Sequence, residues 1–290
     1  MTECGSCGTP NPDDLGACSS CGARLRSAKP PPDAEEAEQA AISQLRGAVQ
    51  RLVSARLAES APYGAALSPV EAEPHAAFRL VTLAPDGTPG ASYPVGDRVT
   101  DIGRSVGDLV FQDPFLADRH ARIVASGDGH LVRPLEPHNG VFRKLRAPAE
   151  LVGGDRILIG RELLRFELVS EAERTTTYAA ENGVALFGSR VRPAWGRLLE
   201  LTPAGVVRDV FHLARGEILL GRERADVVFA NDELMSPLHA RLTMRGGRVA
   251  LEDLRSRSGT FVSVRGSHPL EPDDVIRVGN QLFRFERVPG

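Results

Sequence analysis

The rhythm of apolar positions changes once along this chain. Between Glu35 and Glu59, residues Ile42, Leu45, Val49, Leu52 and Val53 fall on one stripe at helical spacing, and Asp33 is placed as an N-cap. The pattern predicts one amphipathic helix over 35–59. Packing against its own protein is the simpler role for it, with a short coiled coil or docking helix as the alternative. The apolar repeat is too brief to establish a coiled coil. Around the helix lie two spacers, the proline-rich "SAKPPPDA" at 27–34 and "SAPYGAALSPVEAEP" at 60–74. After residue 75 the helical period gives way to short runs, "FRLVTL", "ARIVA", "DRILIG" and "LLRFEL", punctuated by Gly, Pro and Asp. Many short strands at this spacing predict a β-sandwich.

The strand-rich region also repeats itself. "DIGRSVGDLVFQDPFLADRHARIV" aligns with "LLGRERADVVFANDELMSPLHARL", "HNGVFRKL" with "RSGTFVSV", and "GGDRILIGRELLRFEL" with "PDDVIRVGNQLFRFER". Arg104 to His120 is 16 residues and Arg222 to His239 is 17. From each histidine to the next aligned glycine (Gly140, Gly259) is 20, and from there to Gly160 or Gly279 is again 20. Two copies of one domain therefore fill most of residues 76–290. The expected organisation is 1–26, a cysteine-rich segment; 27–74, the spacers and helix; 75–169, the first copy; 170–190, a linker; and 191–290, the second copy.

Composition narrows the function classes. The chain has 290 residues, 42% hydrophobic and 25% charged, with a net charge of -3 and a pI near 6.2. That balance fits soluble globular protein and lacks the basic excess of a general nucleic-acid binder. "MTECGSCGTP" has neither the basic start nor the apolar core of a secretory signal, and no run approaches the ~18 apolar residues of a membrane span. A cytoplasmic location without membrane partners is expected. There the cysteines stay reduced.

All four cysteines lie in the first 21 residues: Cys4, Cys7, Cys18 and Cys21. The pattern is two C-x2-C pairs, each followed by a glycine (Gly8, Gly22) suited to a tight turn. Two thiolate pairs close a tetrahedral Zn2+ shell, and four thiolates leave no open position for catalysis. The segment resembles a small zinc ribbon. About 20 residues bury little core, so a structural zinc would supply most of its folding free energy. A redox pair is the competing reading, but it lacks a βαβ context.

On the quoted residues, each copy resembles a forkhead-associated (FHA) domain: Gly-Arg, then Ser-x-x-His, then Asn-Gly, then a closing pair of apolar strands. The resemblance covers about 190 of the 290 residues. It implies a mainly β fold, two eleven-stranded sandwiches in tandem, whose loops at one end bind phosphothreonine peptides. It assigns phosphate contacts to the arginine and serine and a backbone clamp to the asparagine. The histidine is structural, and the paired glycines (Gly103, Gly140; Gly221, Gly259) belong to the same framework. The chemistry suits that assignment. Phosphothreonine brings about -1.5 to -2 charges and three acceptor oxygens, a guanidinium grips two oxygens at once, and a hydroxyl adds a compact donor.

The copies depart from the pattern in opposite ways. The second has Arg222 and Ser236 in place, but Ser258 where asparagine is expected, preceded by Arg257; Pro237 removes a backbone donor. The first has Arg104, Asn139 and Gly140, but Ala117 replaces the serine and Asp118 follows. Losing the hydroxyl costs a charge-assisted hydrogen bond, roughly 1.5–3 kcal/mol, and a nearby carboxylate repels phosphate unless it points to solvent. Binding is therefore expected mainly at the second copy. His120 and His239 are read as packed, not catalytic.

These readings predict a phosphothreonine-binding signal-transduction adaptor, with Ser/Thr kinases or their substrates as partners. The alternative is a phosphorylation-independent interaction scaffold with degenerate FHA domains. Thr175, Thr176 and Thr177, between the copies, form either an ordinary linker or a phosphorylated internal ligand. Arg24, Arg26 and Lys29 follow the cysteines, but the aromatic residues of a nucleic-acid platform are missing there, and nucleic acid is not an expected partner. No Gly-rich Lys loop, His-Glu-x-x-His or Gly-x-Ser-x-Gly motif supports an enzyme.

Overall fold

The computed structural model describes residues 1–12, 15–23, 25, 77–136, 138–175, 180, 181, 184, 185, 187 and 193–288. The helix expected over 35–59, its spacers, Arg24, Arg26, Lys29, Thr176 and Thr177 lie outside them. Met1–Ala61 and Pro62–Gly290 are separate compact units. In the first, β1 (Thr2–Glu3) pairs antiparallel with β2 (Pro10–Asn11).

The second unit is mainly β. The first repeat contributes β3 (Phe78–Leu83), β4 (Pro89–Val95), β5 (Thr100–Gly103), β6 (Leu109–Val110), β7 (Ala121–Ser126), β8 (Gly129–Pro134), β9 (Val141–Lys144), β10 (Ala149–Leu151), β11 (Arg156–Ile159) and β12 (Glu162–Leu168). After it come a single helical turn, α1 (Glu171–Thr175), and a small pair, β13 (Ala180–Glu181) and β14 (Val184–Ala185). The second repeat contributes β15 (Gly196–Leu201), β16 (Val207–Leu213), β17 (Glu217–Gly221), β18 (Val227–Val228), β19 (Ala240–Arg245), β20 (Arg248–Asp253), β21 (Thr260–Ser263), β22 (His268–Leu270), β23 (Val275–Val278) and β24 (Gln281–Arg287). Alternation places one face of each strand inside: in β11, Ile157 and Ile159 are buried between half-buried neighbours, and β24 buries Gln281, Phe283 and Phe285 in the same way.

The repeats exchange their last three strands. β10 pairs with β20, β11 with β21 and β12 with β15, so the end of the first repeat completes the sandwich of the second. Reciprocally, β22 pairs with β8, β23 with β9 and β24 with β3. At the seam β9 and β21 pair antiparallel, which joins both halves into one ten-stranded sheet of order β16-β15-β12-β11-β21-β9-β23-β24-β3-β4. Two five-stranded sheets, β10-β20-β19-β17-β18 and β22-β8-β7-β5-β6, form the opposing layers. The boundaries at 169 and 191 thus divide the sequence repeats but not the sandwiches, each of which is built from both repeats. Each sandwich has ten strands among the described residues rather than eleven, because residues 145–148 and 264–267 are spent crossing between sandwiches.

The core explains why the crossing holds. Leu145 is buried with Leu198, Phe229 and Met235 in one cluster, while Val264 is buried with Phe78, Ile102 and Phe111 in the other. Each crossing segment therefore delivers an apolar side chain to the far core, and burying one stabilises by roughly 1.5–3 kcal/mol. An arginine fastens each crossing: Arg146 donates to the Pro272 carbonyl and pairs with Asp274, and Arg265 pairs with the buried Asp155.

The exchange predicts that cutting the chain leaves its pieces together. A protease site inserted after Asn182 should yield two fragments that co-elute in gel filtration and part only in denaturant. Fragments that separate in native buffer would contradict the exchanged pairing.

Candidate functional site

The equivalent end of each sandwich gathers three loops: the one after β5 or β17, the one before β7 or β19, and the one before β9 or β21. Close backbone approach fixes the first two. A Cβ on Gly103 would lie 2.0 Å from the Asp118 carbonyl oxygen, and one on Gly221 2.3 Å from that of Pro237, so neither position admits a side chain without backbone movement. The Arg104 N–H donates to the Ala117 carbonyl and the Arg222 N–H to that of Ser236, each at 2.9 Å.

The histidines stitch the second loop to the third. His120 Nδ1 accepts from the Ala117 N–H at 3.1 Å, which leaves Nε2–H to donate to the Gly140 carbonyl at 2.8 Å. His239 makes the same pair of bonds, from Ser236 N–H at 3.2 Å and to the Gly259 carbonyl at 3.1 Å. Both rings are fully buried. Burial lowers the His239 pKa, chiefly by desolvation, against the hydrogen bond to Gly259. The neutral tautomer is the one these bonds use.

In the second repeat Ser236, Arg257 and Ser258 converge. The Arg257 N–H donates to Ser236 Oγ at 2.9 Å, so the Ser236 hydroxyl proton remains to be donated elsewhere. Ser258 Oγ donates to the Leu234 carbonyl at 3.0 Å. Arg257 is exposed. The Arg222 guanidinium is about one-third exposed and donates through Nε and Nη2 to Glu223 Oε1, at 3.2 and 2.9 Å. An exposed pair of this kind is worth roughly 0–1 kcal/mol, so a dianion can displace it.

The first repeat differs at the decisive position. Asp118 Oδ1 accepts from Arg104 Nη2 at 3.1 Å and from Ser105 Oγ at 2.6 Å. Those bonds, Ser105 first and Arg104 next, hold its carboxyl below the usual carboxylate range. Asp118, although its side chain is 63% exposed, turns onto Arg104 in an exposed pair of the same kind as Arg222–Glu223. Asn139 Nδ2 donates to the Phe115 carbonyl at 2.8 Å, the same bracing bond that Ser258 makes in the second repeat.

Several contributors were not singled out in the sequence. Buried Asp232, four residues before Ser236, accepts from the Arg161 N–H at 2.6 Å; buried Asp113 accepts from the Asn280 N–H at 2.7 Å. Arg161 and Asn280 sit in the turns of the exchanged hairpins β11–β12 and β23–β24, so each recognition end rests on the other repeat. Gly160 (φ 56) and Gly279 (φ 61) make those turns, and a Cβ on Gly160 would lie 2.1 Å from Asp232 Oδ2. The signal was present, since Asp113 and Asp232 align between the copies. Ser105 and Glu223 follow their arginines directly and carry no comparable signal.

In the N-terminal unit the Cys4, Cys7, Cys18 and Cys21 sulfurs all lie within 4.8 Å of one another, with Cys4–Cys21 and Cys7–Cys18 at 3.6 Å. Four thiolates around one metal ion at about 2.3 Å would stand about 3.8 Å apart, so the arrangement is compatible with a metal site. Two similar turns present the sulfurs: the Gly8 N–H donates to the Cys4 carbonyl and the Gly22 N–H to that of Cys18, with both glycines at positive φ. The Ser20 N–H and Asn11 Nδ2 also reach Cys18 Sγ, at 3.4 and 3.5 Å. Backbone N–H groups of Cys21 and Ser20 pull the Cys18 thiol down to about 6. Against the backbone N–H of Ala23, the thiols of Cys7 and Cys4 push Cys21 up to about 12.

Comparison with known proteins agrees with the fold. Residues 100–160 and 218–279 each match the FHA domain family model. Both matched stretches run through a crossing, so one FHA sequence unit is shared between two sandwiches. The chain is 34% identical over 77 residues to the FHA domain-containing protein FhaB of Mycobacterium tuberculosis, which is 27% of this chain and 50% of that protein. It thus spans about half the length of that curated relative. Among solved structures, one described as a structural and functional analysis of phosphothreonine-dependent FHA domain interactions is 26% identical, covering 30% of this chain and 91% of that one, at a TM-score of 0.19. The FHA domain of the CT664 protein from Chlamydia trachomatis is 25% identical, covering 32% and 99%, also at 0.19. No helix among the described residues is long and apolar enough to cross a membrane.

The buried histidine gives the loops a pH dependence. His239 has a folded pKa below its ordinary 6.5, so the unfolded chain binds the proton more readily, and stability falls as pH drops through the unfolded value. Thermal unfolding between pH 7.5 and 5.5, where carboxylates stay ionised, should show a falling midpoint, and His239→Asn should flatten the slope. Equal slopes in both proteins would remove His239 as the source.

Proposed function

We propose that this chain is a phosphothreonine-peptide-binding adaptor that recognises its ligand through the second FHA domain. The observation that carries this reading is a pair of backbone bonds at Ser236: the Arg257 N–H donates to its Oγ and the Arg222 N–H to its carbonyl. The serine hydroxyl is oriented by the Arg257 N–H with its proton unspent, and among the described residues the Arg222 guanidinium is held by a weak exposed pair with Glu223. A phosphate there receives a hydroxyl donor and two cations, where bidentate, charge-assisted bonds are strongest. The match of residues 100–160 and 218–279 to the FHA domain family model supports the ligand class. Ser/Thr kinases or their substrates follow as partners, because only they make or carry this group. FHA domains are interaction modules rather than enzymes, and the adaptor reading assigns no reaction to the chain.

The first domain takes a different role. With Ala117 offering no hydroxyl and Asp118 bonded to both Arg104 and Ser105, the first end favours phosphate-independent contacts. In the N-terminal unit, Cys4, Cys7, Cys18 and Cys21 would hold a structural Zn2+ that fixes the two turns and leaves no position for a substrate.

Titration of the full chain with phosphothreonine peptides tests the main assignment. Arg222→Ala should weaken binding more than tenfold, the equivalent of ~1.4 kcal/mol or more, while Arg104→Ala leaves it unchanged. Equal affinity of Arg222→Ala and wild type would falsify it. Phosphatase treatment of captured partners separates this reading from a phosphorylation-independent scaffold, because only the adaptor releases them. For the metal, elemental analysis of protein purified under reducing conditions should give one zinc per chain. Cys4→Ser with Cys18→Ser should abolish it and expose residues 1–25 to proteolysis. Metal-free wild-type protein would overturn the zinc assignment.

A further inference from the structure

Strand exchange brings a cation of the first repeat to the recognition edge of the second. Lys144 ends β9, which pairs with β21 so that Lys144 stands opposite Phe261. Just before β21, Gly259 adopts a φ of 84°, and a Cβ built there would meet Lys144 Cε at 2.2 Å and Nζ at 2.9 Å. The lysine stem therefore lies along the Gly259 backbone and delivers its ammonium to that corner. Gly259 directly follows Arg257 and Ser258, and its carbonyl receives the His239 ring. Among the described residues, the ammonium has no hydrogen-bond or ion-pair partner.

The matching corner of the first sandwich shows the contrast. There Arg156, from the exchanged strand β11, lies where a Cβ on Gly140 would be 2.6 Å from its Nη2. That guanidinium donates to the His138 carbonyl and stands over the Phe142 ring at 5.5 Å, so its charge is already engaged. Among the described residues the Lys144 charge is not.

We propose that the second FHA domain prefers peptides carrying a carboxylate beside the phosphothreonine, and that Lys144, supplied by the first repeat, reads that carboxylate. The inference rests on the phosphothreonine reading above and adds a specificity determinant to it. A peptide bound by Arg222 and Ser236 must pass the loop of Arg257, Ser258 and Gly259, and an acidic side chain on that stretch would meet an ammonium with nothing else to neutralise it. The recognition site is then composite. Its phosphate half comes from one repeat, and its flanking-charge reader comes from the other.

The test uses the full chain and phosphothreonine peptides of one length. Their flanks are alanine except for a single aspartate moved through each position, and binding is read by fluorescence anisotropy. At one flanking position aspartate should tighten wild-type binding about three- to tenfold, the range of a partly screened charge contact. Lys144→Gln should abolish that gain while binding the all-alanine phosphopeptide as wild type does, which also reports an intact site. Lys144→Glu should favour lysine over aspartate at the same position. An aspartate preference that persists in Lys144→Gln, or no preference at any position in wild type, overturns the inference and leaves the phosphothreonine reading standing. If the alanine-flanked phosphopeptide does not bind wild type at all, both fall together.

Discussion

The antiparallel pairing of β9 with β21 is the constraint from which the rest of the structure follows. Because those strands meet at the seam, the segments after them continue into the opposite sandwich instead of folding back. Leu145 and Val264 are buried in opposite cores, so each core draws an apolar side chain and three strands from the other repeat. Arg146 and Arg265 clasp the crossings from outside. Neither repeat completes a core without its partner's strands, so the two domains stand or fall as one cooperative unit. Pairings such as β3 with β24 join residues about 200 positions apart in the chain, the kind of non-local contact that slows folding.

Function inherits that interdependence. The loop carrying Ser236 is anchored through Asp232 to a turn of the first repeat, and the loop before Ala117 through Asp113 to a turn of the second. A buried carboxylate is costly unless its hydrogen bonds are satisfied, so each hairpin turn is held firmly against the opposite recognition loops.

The two ends share one framework and differ at a few side chains. Both have the buried histidine joining its loops, the close-approach glycine and a bracing bond to the carbonyl of residue 115 or 234. In the first repeat a carboxylate reaches the arginine across the loop and lies bonded to both Arg104 and Ser105. In the second, proline occupies the aligned position, Arg222 pairs among the described residues with its neighbour Glu223, and Ser236 supplies a hydroxyl. Both arginines thus meet an exposed carboxylate, Arg104 from across the loop and Arg222 from the adjacent residue, and the hydroxyl of Ser236 is the group that only the second end has.

Much of this was legible in the sequence. Alternating apolar runs determined the strands, because a sheet buried on one face admits only that period. The repeat of Gly-Arg, histidine and glycine at matched spacing marked two FHA domains, and two C-x2-C pairs marked the sulfur cluster, since local turns by themselves bring such residues close. Tertiary structure alone decided which strands complete which sandwich. Both repeats carry nearly the same pattern, so β11 and β23 would satisfy either core, and only the crossing geometry at Leu145 and Val264 selects between them. It also decided that Asp118 turns onto Arg104, and that Lys144 stands at Gly259, because those contacts depend on loop approach and strand exchange, which no periodicity encodes.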